Sequence, residues 1–374
     1  MATSFTPGLR VAETTLITKD RILPLRGEVT VKVGEHMAAE QVVASTNLPG
    51  NVTPLNAANM LGVLPGDVRG TLLFKEGEKV EKDQIIAEAK TFFGLFKNKL
   101  KSPLTGSLES VSDVTGQLIF RDPPIPVEIE SYIEGRVTQI FPNEGVEVQA
   151  VGTFIQGIFG IGGETHGRIK MVATTPDEET TESKIPAECK HMVLVGGAFA
   201  SYDTVKKAIA SGASALVIGG FDSLDLKKLL GYEQGVAITG GEQIGLTLVL
   251  TEGFGKIGMA NRTFDLLKRN EGQMASVSGA TQIRAGVMRP EIIIAKKDVS
   301  HHEEDDHEPA GLELGDLVRI IREPWFGKIG LVKELPPELT ALDTEAKVRV
   351  LTVELDETKE VVLLPRANIE KIEA

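Results

Sequence analysis

Residues 34–44, GEHMAAEQVVA, recur as residues 77–87, GEKVEKDQIIA, with Gly, Glu, Gln and Ala at matching places 43 positions apart. Each copy is a turn that needs glycine, followed by a strand of β-branched and small residues. An internal repeat of this length is the sequence signature of a repeated supersecondary unit. Working outward, a second echo pairs TGSLESVSDVTG from Thr105 with EGRVTQIFPNEG from Glu134. The surrounding 170 residues read as short strands broken by Gly, Pro, Asn and Asp, with alternation over Glu28 to Val33 and one or two helical turns near Asn56 to Leu61. The expectation for 1–170 is a β-rich domain with an internal repeat.

Three pieces carry a family resemblance here: EGEKVEKDQIIAEAK (76–90), KSPLTGSLESV (101–111) and the glycine at Gly116. Over about residues 20 to 165 the pattern resembles the barrel-sandwich hybrid fold of lipoyl and biotinyl carrier domains, RNA polymerase largest subunits and the RnfC and NqrA electron-transfer subunits. Carrier domains attach their cofactor to a lysine at a hairpin tip in a DKA or MKM context. The stretch AKTFFGLFKNKLKSP has Lys90 and Lys97 but neither tripeptide, so a structural unit without attached cofactor is expected. Phe92, Phe93, Leu95 and Phe96 either plug a core or mark a partner surface.

Residues 171–297 change character. Strand-like runs at Met192 to Val195, Ala215 to Ile218 and Leu246 to Leu250 alternate with helical patterns at Tyr202 to Ser211, Leu224 to Leu230 and Asn261 to Lys268. That alternation predicts an α/β domain with a parallel or mixed sheet. The polar segment 174–188 reads as the loop leading into it, and 298–311, with its run of acids and histidines, as a solvated linker.

Residues 312–374 then open with LELGDLVRIIREPWFGKIGLVKEL and continue through two strand patterns, KVRVLTVEL and KEVVLLP. A barrel of five strands is the expected closure. Through GDLVRI, GKIGLV and LPRANIEKI this segment resembles the KOW motif, the SH3-like barrel of ribosomal proteins and NusG-type elongation factors. The resemblance implies an adaptor that docks on RNA, ribosome or RNA polymerase. Its cation-and-aromatic rim would be Arg319, Arg322, Trp325, Phe326, Lys328 and Lys333; alternatively Trp325 and Phe326 close the barrel end. The segment holds 9 Lys and Arg against 13 Asp and Glu, net −4, which favours a protein partner over direct nucleic-acid binding.

The fold class expected is therefore multi-domain α+β: an all-β barrel-sandwich hybrid, a middle α/β domain and an SH3-like β-barrel. Whole-chain charge points the same way on partners, with 40 basic and 53 acidic residues giving −13. One cysteine, Cys189, allows no disulfide within the chain, and no apolar stretch approaches the ~20 residues of a membrane span. A cytoplasmic protein is expected, with no membrane association and no cofactor.

Chemistry-bearing patterns are sparse. Residues 157–167, GIFGIGGETHG, are rich enough in glycine to cradle an anion, yet they lack a Walker Lys-Ser/Thr and a G-x-G-x-x-G; a tight domain junction is the other reading. Gly196-Gly197, Gly219-Gly220 and Gly240-Gly241 follow strands, where open sheets hold ligands, or else serve packing. With Arg284 and Arg289, and with Gln282 nearby, they form a candidate site for a carboxylate or phosphate. Asn261 is a candidate cap and Arg262 a candidate anion contact. Glu164 beside His166 reads as a surface pair, and His301, His302 and His307 lie in a segment without preorganised geometry for a metal. No catalytic residue and no metal site is assigned. Three functions follow in order: an adaptor of transcription or translation, an enzyme or sensor for an anionic small molecule, and a subunit of a large homomeric assembly.

Overall fold

The computed structural model describes residues 9–91, 96–231, 242, 244–281, 288–296, 312–320, 324–325, 328–337, 339–341, 347–356 and 358–371. The fold is mostly β, spread over several sheets, with a few short helices.

The repeat seen in the sequence is a nested duplication. In the inner copy the strands Ile85–Thr91 and Phe96–Lys101 pair as a hairpin, Ile85 opposite Lys101. In the outer copy Val42–Leu48 pairs with Ile125–Glu130, Val42 opposite Glu130. Positions 85 and 42 differ by 43, while 130 and 101 differ by 29, so the inner copy lies between the two arms of the outer pair. The turns match bond for bond. Gly34 N donates to Val137 O and Gly77 N to Leu108 O; Lys32 N donates to Glu35 Oε2 and Lys75 N to Glu78 Oε2. Buried serines repeat as well: Ser102 Oγ donates to Leu104 O at 2.7 Å and Ser131 Oγ to Ile133 O at 2.8 Å. Each copy then places a glycine, Gly106 or Gly135, where a side chain would strike the carbonyl oxygen of the neighbouring strand at 2.1 or 2.4 Å. The copies keep separate cores, Val80, Ile86, Leu108, Leu118 and Phe120 in one and Met37, Val43, Tyr132, Ile133 and Val148 in the other.

The expected strand over Glu28 to Val33 is cut short. The strand covers only Glu28–Val29, with Thr30 N adding one bond to Val43 O, and beyond it Lys32 and Glu35 close the turn that carries Gly34.

The strand Gly145–Gln156 joins the outer copy to the rest of the chain. It pairs with Val11–Ile22, with Gly135–Phe141 and, at its far end, with Glu291–Ala295. From there one sheet runs through Met274–Ser278, Glu164–Met171, Met192–Val195, Ala215–Phe221 and Thr247–Phe254 to Phe159–Ile161. The hydrogen-bonded ladder thus crosses residue 170, where composition changes in the sequence.

Four of these strands, Glu164–Met171, Met192–Val195, Ala215–Phe221 and Thr247–Phe254, are parallel. Both their faces are covered, as parallel strands require. Val193, Val195, Val217 and Val249 meet Phe264 and Leu267 of the helix Asn261–Arg269 on one face. Leu194, Leu216, Ile218 and Leu248 meet Val205 and Leu226 on the other, from the helices Tyr202–Ala210 and Ser223–Leu230. Ser201 and Asp222 cap those two helices by accepting from backbone N–H groups of the first turn. The third helix differs from expectation: Asn261 is its first residue, and Ala260, with no polar side chain to offer, is the cap position.

The C-terminal residues form a six-stranded sheet rather than five strands, with the short strand Leu339–Ala341 added beside Lys347–Leu355. Val318, Ile320, Val332, Leu351, Val353, Val362, Leu364 and Ile369 fill its inner side. Among the described residues no helix is long and apolar enough to cross a membrane.

Candidate functional site

The carboxyl edge of the parallel strands is where a ligand crevice is expected in an open α/β sheet. Gly196, Gly197, Gly219 and Gly220 stand there and are all buried. The space above them is filled by the chain itself. A Cβ on Gly196 would lie 2.3 Å from Thr180 Oγ1, on Gly197 2.2 Å from Glu178 O, on Gly219 2.2 Å from Ile257 O and on Gly220 2.1 Å from Gly255 O. Their N–H groups are spent internally: Gly196 on Val217 O, Gly197 on Thr180 Oγ1, Gly219 on Gly197 O and Gly220 on Ala198 O. No donor among the four is left for an anion. The packing reading of these glycines is the one the geometry fits. Gly240, Gly241, Gln282 and Arg284 lie outside the described residues, and Arg289 is half-buried with an interaction of its own.

Two loops close the edge. In the first, the Glu178 carboxylate accepts from Thr174 N and Thr174 Oγ1 and pairs with Lys184. The Lys184 hydrogen bond, reinforced by the two from Thr174, holds its pKa down to about 2. The second loop is tied to the first through Met259 N, which donates to Pro176 O, and through Lys256, paired with Glu179 at 2.9 Å.

Beside these loops is a feature the sequence reading missed. Glu252, 6% exposed, is a carboxylate inside the buried run of the strand Thr247–Phe254. Its Oε1 accepts from Ala260 N at 2.9 Å, and so serves the uncapped start of the helix Asn261–Arg269. Its Oε2 lies 2.6 Å from Nη2 of Arg319, which belongs to the C-terminal sheet. In the strand Leu317–Ile320 the neighbours Val318 and Ile320 point into that sheet's own core, so Arg319 points outward. It is nevertheless only 4% exposed, with Glu252 of the strand Thr247–Phe254 against it. A sequence signal existed: a carboxylate inside LTLVLTEGF requires a buried cation or donor.

Arg319 is therefore not on an open rim. Its Nε and Nη1 are buried and lack hydrogen-bond partners among the described residues. Trp325 is half-buried against the C-terminal core, which agrees with its closing that core. Lys328 is half-buried and engaged, its N–H donating to Trp325 O. Lys333 is exposed and paired with Glu354 at 2.9 Å. Arg322 and Phe326 lie outside the described residues, as do Phe92, Phe93, Leu95, His301, His302 and His307. Lys90 and Lys97 are partners in register across the inner hairpin.

The glycine-rich stretch 157–167 is a junction. Gly157 N donates to Pro290 O and Gly160 N to Thr281 Oγ1, so these donors too are occupied. Glu164 and His166 part company: Glu164 forms a two-pronged pair with Arg21 at 2.8 and 2.7 Å, while His166 Nε2 donates to Tyr132 O at 2.9 Å. Ser276 Oγ donates to the same carbonyl, and Tyr132 sits at φ +69°, unusual for an aromatic residue. Next to this node is a cavity of about 130 Å³ that includes His166, Ser276, Glu40 and Glu134 in its wall. Among the described residues no three His, Cys, Asp or Glu side chains are grouped to hold a metal.

No family model matches the sequence, and no curated protein matches it.

Proposed function

We propose that the protein is a non-enzymatic adaptor of the cytoplasmic transcription or translation machinery. In this reading the nested units are of the barrel-sandwich hybrid type, and the C-terminal module is a KOW-type SH3-like barrel that docks on a protein. One observation carries it: the outer face of that module is apolar and open. Leu331, Val361 and Leu363 are 37%, 56% and 49% exposed. Leu331 and Val361 flank Glu354 from the two neighbouring strands, and Leu363 stands opposite Thr352, so they share one face. A face on which three large apolar side chains stand beside the Lys333–Glu354 ion pair suits a protein partner. The net charge of −4 opposes a phosphate backbone. The filled edge of the parallel strands speaks against a small-molecule site there.

The test is affinity capture of the full chain from a lysate at moderate salt, alongside V361K/L363K, whose changes touch only the outer face. Ribosomal or polymerase subunits are expected with the parent chain and not with the variant. Recovery of neither class, or equal recovery with both proteins, sinks the reading.

A further inference from the structure

We infer that Glu252 is an internal stand-in for the partner's carboxylate: the C-terminal module is held against its own chain through Arg319, and an acidic protein segment competes for that arginine. This rests on the adaptor reading and deepens it by naming the partner's chemistry and a contact that restrains the module.

Arg319 faces away from its own sheet's core, and its buried ion-pair partner belongs to a different part of the chain. The contact is a 2.6 Å ion pair with both side chains at 6% exposure or less. Burying two charges costs desolvation, and mutual attraction offsets that cost only when the remaining donors are satisfied. Here they are not: Arg319 Nε and Nη1 have no acceptor among the described residues. A guanidinium with a planar fork is built for two-pronged carboxylate binding, and Glu252 fills one prong only: its Oε2 meets Nη2, while its Oε1 accepts from Ala260 N and Nε and Nη1 stay without an acceptor among the described residues. An acidic side chain in trans, free to use both oxygens, satisfies Arg319 better than Glu252 does. Docked, the module hides its outward arginine; released, it presents Arg319 from the strand Leu317–Ile320, next in the sheet to the strand that carries Leu331.

Trp325, the one tryptophan of the chain, reports the state of the module. In the docked form it tumbles with the whole molecule, so its fluorescence anisotropy is high. Three full-length variants are compared with the parent: E252Q, R319M and the double variant. E252Q keeps an acceptor for Ala260 N but leaves Arg319 without a counter-charge; R319M leaves Glu252 without one. Both singles are expected to lower the anisotropy, and the double, which buries no unpaired charge, to restore it. The binding probe is a ten-residue oligoglutamate peptide. Because apparent affinity scales with the fraction of competent protein, E252Q should bind it about tenfold more tightly than the parent, and R319M should gain nothing.

Unchanged anisotropy in both single variants overturns the restraint. Equal peptide binding by E252Q and R319M, or a preference of E252Q for oligouridylate over oligoglutamate, overturns the assignment of an acidic protein partner to Arg319. If E252Q fails to show a cooperative thermal transition, R319M and the double variant, read by the same anisotropy, still decide the restraint. Failure of lysate capture leaves these readouts untouched, so the two ideas fall separately.

Discussion

Glycines of the duplicated turns and glycines at the edge of the parallel strands look alike in the sequence and meet opposite needs. Gly34 and Gly77 have φ of +86° and +87°, and a Cβ at either would meet nothing within 4 Å, so they supply a backbone conformation. Gly197 and Gly220 are not in the left-handed region, but a carbonyl oxygen sits where their Cβ would be, so they supply space. Glycine after a strand is thus no sign of a phosphate; the decisive question is what lies within about 3 Å.

That contrast can be broken by experiment. The largest effect is expected for Gly220→Ala and Gly197→Ala, which drive a methyl into backbone and should cost about 4 kcal/mol or more in urea denaturation, or abolish folding. A loss below about 1 kcal/mol would mean the edge is open in solution and would reopen it as a ligand crevice. At the turns, Gly34→Ala and Gly77→Ala should each cost about 1 to 2 kcal/mol, the strain of a left-handed alanine with no clash added. Equal losses support the equivalence of the two copies; losses differing by more than about 1 kcal/mol argue against it. Smaller still, Ser102→Ala and Ser131→Ala each remove one buried hydrogen bond and should cost about 1 kcal/mol, again in parallel.

The last prediction concerns the loop that fills the edge. Glu178 has a folded-state pKa of about 2, below its ordinary 4.5, so its contribution is complete above pH 4.5 and is lost as pH falls through about 2. The Thr174 amide resonance should titrate with a midpoint of about 2. A midpoint at the ordinary 4.5 would show that Lys184 and Thr174 do not hold the carboxylate in solution.

Much of the fold was legible because it is locally encoded. The alternation of strand-like and helical patterns placed the helices Tyr202–Ala210, Ser223–Leu230 and Asn261–Arg269 to within a residue at either end. The 43-residue repeat was visible, since turn glycines and the Glu and Gln that brace them are local signals. The nesting was not, because it depends on the pairing of Val42–Leu48 with Ile125–Glu130 across the whole inserted copy. Arg319 was misplaced for a related reason: alternation shows that it faces away from its own core, but not what it faces instead.

The chain's residues by themselves settled the repeated turns, the helix positions and the excess of negative charge, all of which arise from composition or from neighbours within a few positions. Only the tertiary structure decided that the parallel edge is full, that one copy sits inside the other and that Glu252 holds Arg319. Each of those joins segments tens of residues apart, and spacing along a chain carries no information about which distant backbone or charge occupies the volume beside it.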